Sequence, residues 1–204
     1  MLLLSYILDL FLPKREVARA IDAIIQEDFV AKMHIQRSRL SSEYTITTLL
    51  PYTDAEVKMC ILEAKFHRNG RAIQLLGAVL QEYLCTLPEK SPIIIPLPLS
   101  RARKRARGHN QVESVVRKAL MGERSDTTLL MRVRDTLPQT TLSGRERRAN
   151  LHHAFQVQGS IDPHHTYIVV DDVVTTGSTL HEALRTLQAA GAIHIYGVAL
   201  ATSA

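Results

Sequence analysis

Only two cysteines, Cys60 and Cys85, occur in the 204 residues. That is too few for a disulfide scaffold or an all-cysteine zinc site. Both fall on apolar helical patterns, so reduced core thiols are expected. No GxxxxGK[ST] occurs, which excludes a P-loop. The apolar opening MLLLSYILDLFL is too short for a membrane span and is interrupted by Ser5 and Asp9. Its positive charges, Lys14 and Arg15, follow the apolar stretch, whereas a signal peptide needs them before it. The expectation is a first helix packed on the domain and a cytoplasmic protein. The adjacent pairs His152-His153 and His164-His165 lack the i, i+4 spacing of a helical zinc site and read as surface residues. No internal repeat is visible.

Positive charge is in excess. The net charge is +5 and the pI about 9.4, which points to an anionic partner, a phosphorylated metabolite or nucleic acid. Hydrophobic residues make up 46% of the chain, enough for a globular core. The length suits one domain with an appendage. Val17, Ile21, Ile24, Ile25 and Phe29 recur at helical spacing and predict one helix over about 14–29. Tyr44 to Leu50 is Thr-rich and β-prone. Thr53-Asp54-Ala55-Glu56 reads as a capping box before a helix ending near Lys65-Phe66. A second helix follows over about 71–85. Beyond residue 92, apolar runs (93–95, 129–131, 154–157, 167–170, 193–201) alternate with helical patterns. That alternation predicts an α/β fold with a parallel sheet flanked by helices.

The most informative stretch is Tyr167 to Thr179, YIVVDDVVTTGST. Its four-residue apolar run suits a strand buried on both faces. Asp171 and Asp172 follow where open α/β sheets place ligands. Carboxylates accept hydrogen bonds from sugar hydroxyls or hold a hard cation. Thr175, Thr176, Gly177, Ser178 and Thr179 then combine hydroxyls, a glycine and a helix start, a combination suited to phosphate. A phosphorylated sugar matches both ends, and all thirteen positions are similar to the ribose-5-phosphate (PRPP) motif of type I phosphoribosyltransferases.

Two other constellations stand out. Arg101, Arg103, Lys104, Arg105 and Arg107 follow a strand and the rigid Pro96-Leu97-Pro98-Leu99. They suit a diphosphate at the same cleft, nucleic-acid phosphates, or merely solvent. No aromatic residue interleaves them for base stacking. Arg132, Arg134, Gln139 and Arg145 border a long polar loop, which reads either as an active-site lid or as surface. Lys65 reads as a lysine attracted to a helix C-terminus. His181 falls one turn into the last helix, near the hydroxyl loop.

Four blocks together resemble the ComF family, which is phosphoribosyltransferase-like and competence-associated: Tyr52 to Phe66; IIIPLPLSRARKRARGHNQ (93–111); MRVRDTLPQTTLSGRERRANLHHAF (131–155); and YIVVDDVVTTGST. MLLLSYILDLFLP resembles the leader before the family's zinc ribbon. The ribbon's CxxC pairs are absent between Lys14 and Tyr44, so no structural zinc is expected, and His109 replaces the usual phenylalanine. The resemblance implies a type I phosphoribosyltransferase-like domain over 51–204 behind a small, mainly helical appendage over 1–50. It implies that Asp171 and Asp172 face ribose hydroxyls and that 175–179 hold the 5′-phosphate. Pro96 to Leu99, with Arg103 and Arg107 nearby, would form the diphosphate loop, and Arg132 to Arg145 a hood. Mg²⁺ would arrive on the ligand's diphosphate.

Three functions follow from the resemblance. The first is transfer of a phosphoribosyl group to an unidentified acceptor, with Asp171 and Asp172 the best catalytic candidates. Purine-salvage relatives carry an acidic residue where Thr175 stands, and threonine cannot serve as that base. The second is a DNA-uptake factor working on single-stranded DNA beside a helicase-like ATPase. The third is a PRPP sensor without turnover.

Overall fold

The computed structural model describes residues 14–39, 44–88, 91–120, 125–134 and 154–203. Its centre is a strand, β6 (Thr166–Val174), whose Tyr167, Ile168, Val169 and Val170 are all buried. Such a run has no polar face and is stable only between covered layers. β6 pairs in parallel with β7 (His194–Thr202) on one side and β3 (Ile93–Pro96) on the other. β2 (Thr45–Pro51) extends the sheet in parallel beyond β7, and β1 (Gln36–Arg39) closes that edge antiparallel, giving the order β1-β2-β7-β6-β3. The expected α/β class, a mostly parallel sheet flanked by helices, is the one observed. Two short strands, β4 (Leu130–Arg132) and β5 (Phe155–Val157), form a separate antiparallel pair.

Among the described residues there are seven helices. α1 (Lys14–Asp22) and α2 (Gln26–Ala31) come first. α3 (Ala55–Phe66) and α4 (Gly70–Cys85) lie between β2 and β3, and α5 (Arg101–Arg107) and α6 (Gln111–Ala119) follow β3. α7 (Ser178–Ala189) joins β6 to β7. One sheet face packs on α1–α4 and α6 through Phe29, Ile61, Leu76, Val116 and Ile168. The other packs on α7 and the β4–β5 pair through Tyr44, Phe155, Val169 and Leu184. Each such fully buried aliphatic side chain contributes roughly 1.5–3 kcal/mol.

The single helix expected over 14–29 is two. Ile25 is extended and exposed at the N-cap of α2. The break turns Ile24 inward and frees its carbonyl, which accepts from Arg71 Nη2 at 2.7 Å. The division drawn at residue 50 falls inside β2, and Val17, Ile21, Ile24 and Phe29 share a core with the sheet. Asp54 rather than Thr53 caps α3: its Oδ1 accepts from Glu56 N at 2.9 Å and Val57 N at 3.1 Å. Cys60 is buried as expected, but Cys85 is exposed. It ends α4, where the helix has already cleared the core. No helix among the described residues is long and apolar enough to cross a membrane.

Candidate functional site

The parallel strands end together, so the segments that follow them meet at one edge. Backbone bonds continue the sheet there: Leu97 N donates to Val170 O at 2.8 Å, Tyr52 N to Thr202 O at 2.9 Å, and Ser203 N to Val174 O at 3.1 Å. Tyr52, the Pro96–Leu99 segment and the acidic end of β6 are thereby brought to one place.

Asp172 is 8% exposed, and its carboxylate meets three donors. Its Oδ2 accepts from Gln111 Nε2 at 2.7 Å and lies 3.1 Å from Lys65 Nζ. Its Oδ1 accepts from the backbone N–H of Val173 at 2.8 Å. Burial opposes ionisation of this carboxyl, but the Lys65 ammonium and the donated hydrogen bonds outweigh it and hold Asp172 below the usual carboxylate range. Asp171 behaves oppositely. Desolvation, then the adjacent Asp172 charge, raise its carboxyl well above that range. The pair therefore presents one fixed anion and one group able to hold a proton near neutrality.

Positive charge rings the pair. Ser100 Oγ caps α5 by accepting from Arg103 N at 3.3 Å, and Gly108 ends the helix at φ 71. That short helix splits its cations. Arg101, Lys104 and Arg105 are exposed, whereas Arg103 and Arg107 are half-buried. Arg107 Nη1 donates to Gln111 Oε1 at 3.2 Å, and its guanidinium stacks 5.6 Å from the Phe66 ring centre. Burial pulls its pKa down, while Asp172 and Asp171 pull it up. Gln111 thus links Arg107 to Asp172. Tyr52, half-buried, has its phenol raised by burial and further by the Asp172 charge.

His109 is buried and spans two carbonyls, Nε2 2.8 Å from Ala64 O and Nδ1 2.9 Å from Arg107 O. It clamps the turn after α5 to the end of α3 that carries Lys65. A phenylalanine has no polar atoms for these contacts.

Beyond β6, Gly177 adopts φ 70 at the N-cap of α7, a conformation that favours glycine, and no side chain caps that end. Thr175 and Thr176 are exposed, Ser178 and Thr179 half-buried. The Thr176 and Ser178 hydroxyls lie 2.9 Å apart. A cleft of about 230 Å³ opens beside this turn, lined also by Gln36, Ser38, Thr48 and Thr202.

The structure brings Asp171, Asp172, Leu97, Arg103 and Arg107 to one region. Arg132 lies in β4, its guanidinium 5.5 Å from the Phe155 ring centre and its Nε 3.4 Å from the Arg134 carbonyl. Gln139 and Arg145 lie outside the described residues, as do the leader at 1–13 and His152-His153. His181 packs edge-on against Tyr44, with ring centres 5.1 Å apart. His165 pairs with Asp162 at 3.0 Å.

Sequence reasoning missed Lys65, Gln111 and Tyr52 as site residues. Lys65 is not a lysine spent on its own helix end: it is largely buried against Asp172, 107 positions away. Gln111 opens α6 behind the cap Asn110, which accepts from Val112 N at 3.1 Å. No local pattern could have joined these residues to Asp172.

No protein-family model matches the chain. It is 36% identical over 121 residues to Competence protein F of Haemophilus influenzae, covering 56% of this chain and 52% of that protein. It is 34% identical over 146 residues to DNA utilization protein YhgH of Salmonella typhi, covering 67% of this chain and 63% of that protein. The YhgH protein of Escherichia coli O157:H7 is 37% identical over the same coverage. The matches span about half to two thirds of these relatives' length. Among solved structures, a hypoxanthine phosphoribosyltransferase from Staphylococcus aureus is similar at a TM-score of 0.41 and 16% identity, over 64% of this chain and 62% of that one. The chain is a homologue of Competence protein F and the YhgH proteins, the relationship that its ComF-like blocks imply.

Proposed function

We propose that the chain binds PRPP, or a closely related ribose-5-phosphate ligand, at the carboxyl edge of its sheet. The observation that carries this reading is the oppositely poised pair Asp171 and Asp172, set between Lys65 and the uncapped start of α7. An ionised Asp172, fixed by three donors, accepts from one ribose hydroxyl; Asp171, whose Oδ1 already accepts from Asp172 N at 2.8 Å, meets the next. The N–H groups and hydroxyls at 175–179 suit the 5′-phosphate. Arg103 and Arg107, on the inner side of α5, suit the diphosphate.

Asp172 has its Oδ2 occupied by Lys65 and Gln111, and no group of three metal-ligating side chains occurs among the described residues. A ligand-borne Mg²⁺ fits this arrangement better than a protein-held one. When bound it supplies charge neutralisation at the diphosphate. The chain's own residues bind and orient the ribose, and the ionised Asp172 beneath it would stabilise positive charge developing at the sugar. With threonine at 175, binding is better supported than turnover, so a sensor remains the natural variant of this reading.

Titrating Mg·PRPP while following both heat and diphosphate release tests it. Binding is expected for the native chain and at least tenfold weaker for Asp172→Asn. Release in the presence of bases or ammonia marks an enzyme, and binding without release a sensor. No heat with the native chain overturns the reading.

A second reading rests on a different observation: Arg101, Lys104 and Arg105 form an exposed cationic row on α5, facing away from Asp172. With relatives named for competence and DNA utilization, that row suits the phosphates of single-stranded DNA in an uptake pathway, beside a helicase-like ATPase.

A further inference from the structure

The contacts around Asp172 close into a ring. Lys65 Nζ lies 3.1 Å from Asp172 Oδ2, and Gln111 Nε2 donates to the same oxygen at 2.7 Å. Gln111 Oε1 accepts from Arg107 Nη1 at 3.2 Å. His109 supplies the closing link. Its Nδ1 is 2.9 Å from the Arg107 carbonyl, and its Nε2 is 2.8 Å from the carbonyl of Ala64, the residue before Lys65. Asn110, next in the chain, donates from Nδ2 to the Leu97 carbonyl at 3.1 Å. The turn that carries His109 is therefore fastened to both site cations and to the segment after β3.

That link has an electronic condition. A carbonyl oxygen only accepts, and a neutral imidazole carries one N–H rather than two. Both contacts are hydrogen bonds at once only in the imidazolium form. In the neutral ring one carbonyl faces a nitrogen lone pair, at a position only 8% exposed, with little water to take its place. No carboxylate touches the ring among the described residues. On α3, Glu63 pairs with His67 at 2.8 Å and Lys65 with Asp172; on α6, Glu113 pairs with Arg117 at 2.7 Å. β6 brings Asp171 and Asp172, and α5 brings Arg103 and Arg107. With Lys65 balanced by Asp172, the charge left on this side of the site is positive. An incoming polyanion is the group that offsets one more positive charge there.

We infer that His109 is a positioning residue that couples anion binding to its own protonation: as imidazolium it holds Arg107 and the Lys65 end of α3 in one frame, and as the neutral ring it lets go of one side. The coupling rests on the reading above only for the identity of the ligand, since any diphosphate held by Arg103 and Arg107 would show it. Affinity for the anion falls as pH rises, because the protonated form is the one that binds tightly.

The discriminating variant is His109→Gln. Its amide nitrogen keeps a donor for the Ala64 carbonyl and cannot serve the Arg107 carbonyl as well, so it imitates the neutral ring. His109→Phe keeps a ring and makes neither bond; circular dichroism checks that both variants fold. Mg·PRPP and, separately, inorganic diphosphate are titrated calorimetrically into the native chain and both variants at about pH 6 and about pH 8.5. The titrations of Asp171 and of the ligand's phosphates are common to all three proteins and cancel in the ratio of affinities. The native chain is expected to bind roughly tenfold more tightly than His109→Gln near pH 6, the effect of one charge-assisted hydrogen bond. Near pH 8.5 the two should bind about equally, with His109→Phe weakest throughout. In ¹⁵N spectra of the histidine rings, the signals missing from His109→Phe should show two N–H nitrogens in the ligand-bound native chain near pH 6. A native-to-Gln ratio that does not change with pH, a bare ring nitrogen in the bound form near pH 6, or silence of both probes overturns the inference. The two claims fail separately. Diphosphate bound with a pH-dependent ratio while Mg·PRPP is silent sinks the ribose-phosphate reading and keeps this one. Mg·PRPP heat with a constant ratio does the reverse.

Discussion

Asp171 and Asp172 are consecutive, yet their surroundings push them in opposite directions, and each direction has a consequence for stability. Asp172 is held low, so its contribution is present above the pH at which an unfolded carboxylate titrates and is lost as pH falls through the lower folded value. Lys65 is the main cause. Replacing it by methionine keeps most of the volume and leaves a buried carboxylate uncompensated, which costs about 3–5 kcal/mol in comparable pairs. Gln111 still donates, so the lower end is expected, read as a fall in the urea midpoint of Lys65→Met at neutral pH. An unchanged midpoint would mean the pair is not formed. Asp171 is held high, so it stabilises the fold only while protonated; that contribution is complete below the unfolded value, roughly pH 4, and is lost as pH rises through the folded one. Asp171→Asn should therefore raise Tm near pH 8 and leave it unchanged near pH 4. A variant less stable at pH 8 would reject the assignment. A residue that destabilises its own fold at working pH is what a ligand-binding role demands.

At the scale of elements, Gln111 reaches Asp172 only because α6 lies close to α4, and α4 permits this at Gly77. A Cβ placed there would lie 2.9 Å from Lys118 Cβ and 3.4 Å from the Ala119 backbone nitrogen. Glycine inside a helix normally costs about 1 kcal/mol relative to alanine, so on propensity alone Gly77→Ala should stabilise. Overpacking of this kind costs about 1–3 kcal/mol, and the contact is with a Cβ and a main chain that cannot swing away. The expected outcome is net destabilisation of about 1 kcal/mol in chemical denaturation, with weaker Mg·PRPP binding as α6 shifts Gln111. A gain in stability would show that the helices have slack. The same elements show what was legible beforehand. β6, α7 and β7 could be read from the chain because their signals are local: a continuous apolar run, a hydroxyl-glycine helix start, and a second apolar run at 193–201. The break between α1 and α2 was not, because Ile24 and Ile25 fit one helical stripe, and only the Arg71 contact at the Ile24 carbonyl shows why the helix stops. Lys65 and Gln111 were invisible as site residues for the same reason. Their partner lies on another strand, and side-chain identity within a helix carries no record of distant contacts.

At the scale of the molecule, the excess of positive charge is not spread evenly, and α5 divides it between two uses. Its inner cations, Arg103 and Arg107, sit near Asp171 and Asp172, while Arg101, Lys104 and Arg105 face solvent. If the outer row engages single-stranded DNA, each phosphate contact steepens the salt dependence by about 0.7 in log–log slope. Three contacts give a slope near −2, or roughly a twentyfold loss of affinity between about 50 and 200 mM salt. Replacing all three by alanine preserves the helix, since alanine is the strongest helix former and Ser100 still caps it. The triple variant should flatten the slope toward zero for oligothymidine while keeping the Mg·PRPP heat intact, because none of the three side chains faces the carboxylate pair. Loss of both together would mean that DNA and sugar phosphate compete for one surface, with Arg103 and Arg107 serving each in turn. A slope unchanged by the triple substitution would move the DNA contact off α5 altogether, and absence of binding at about 50 mM salt, where counterion release favours it most, would remove the DNA reading.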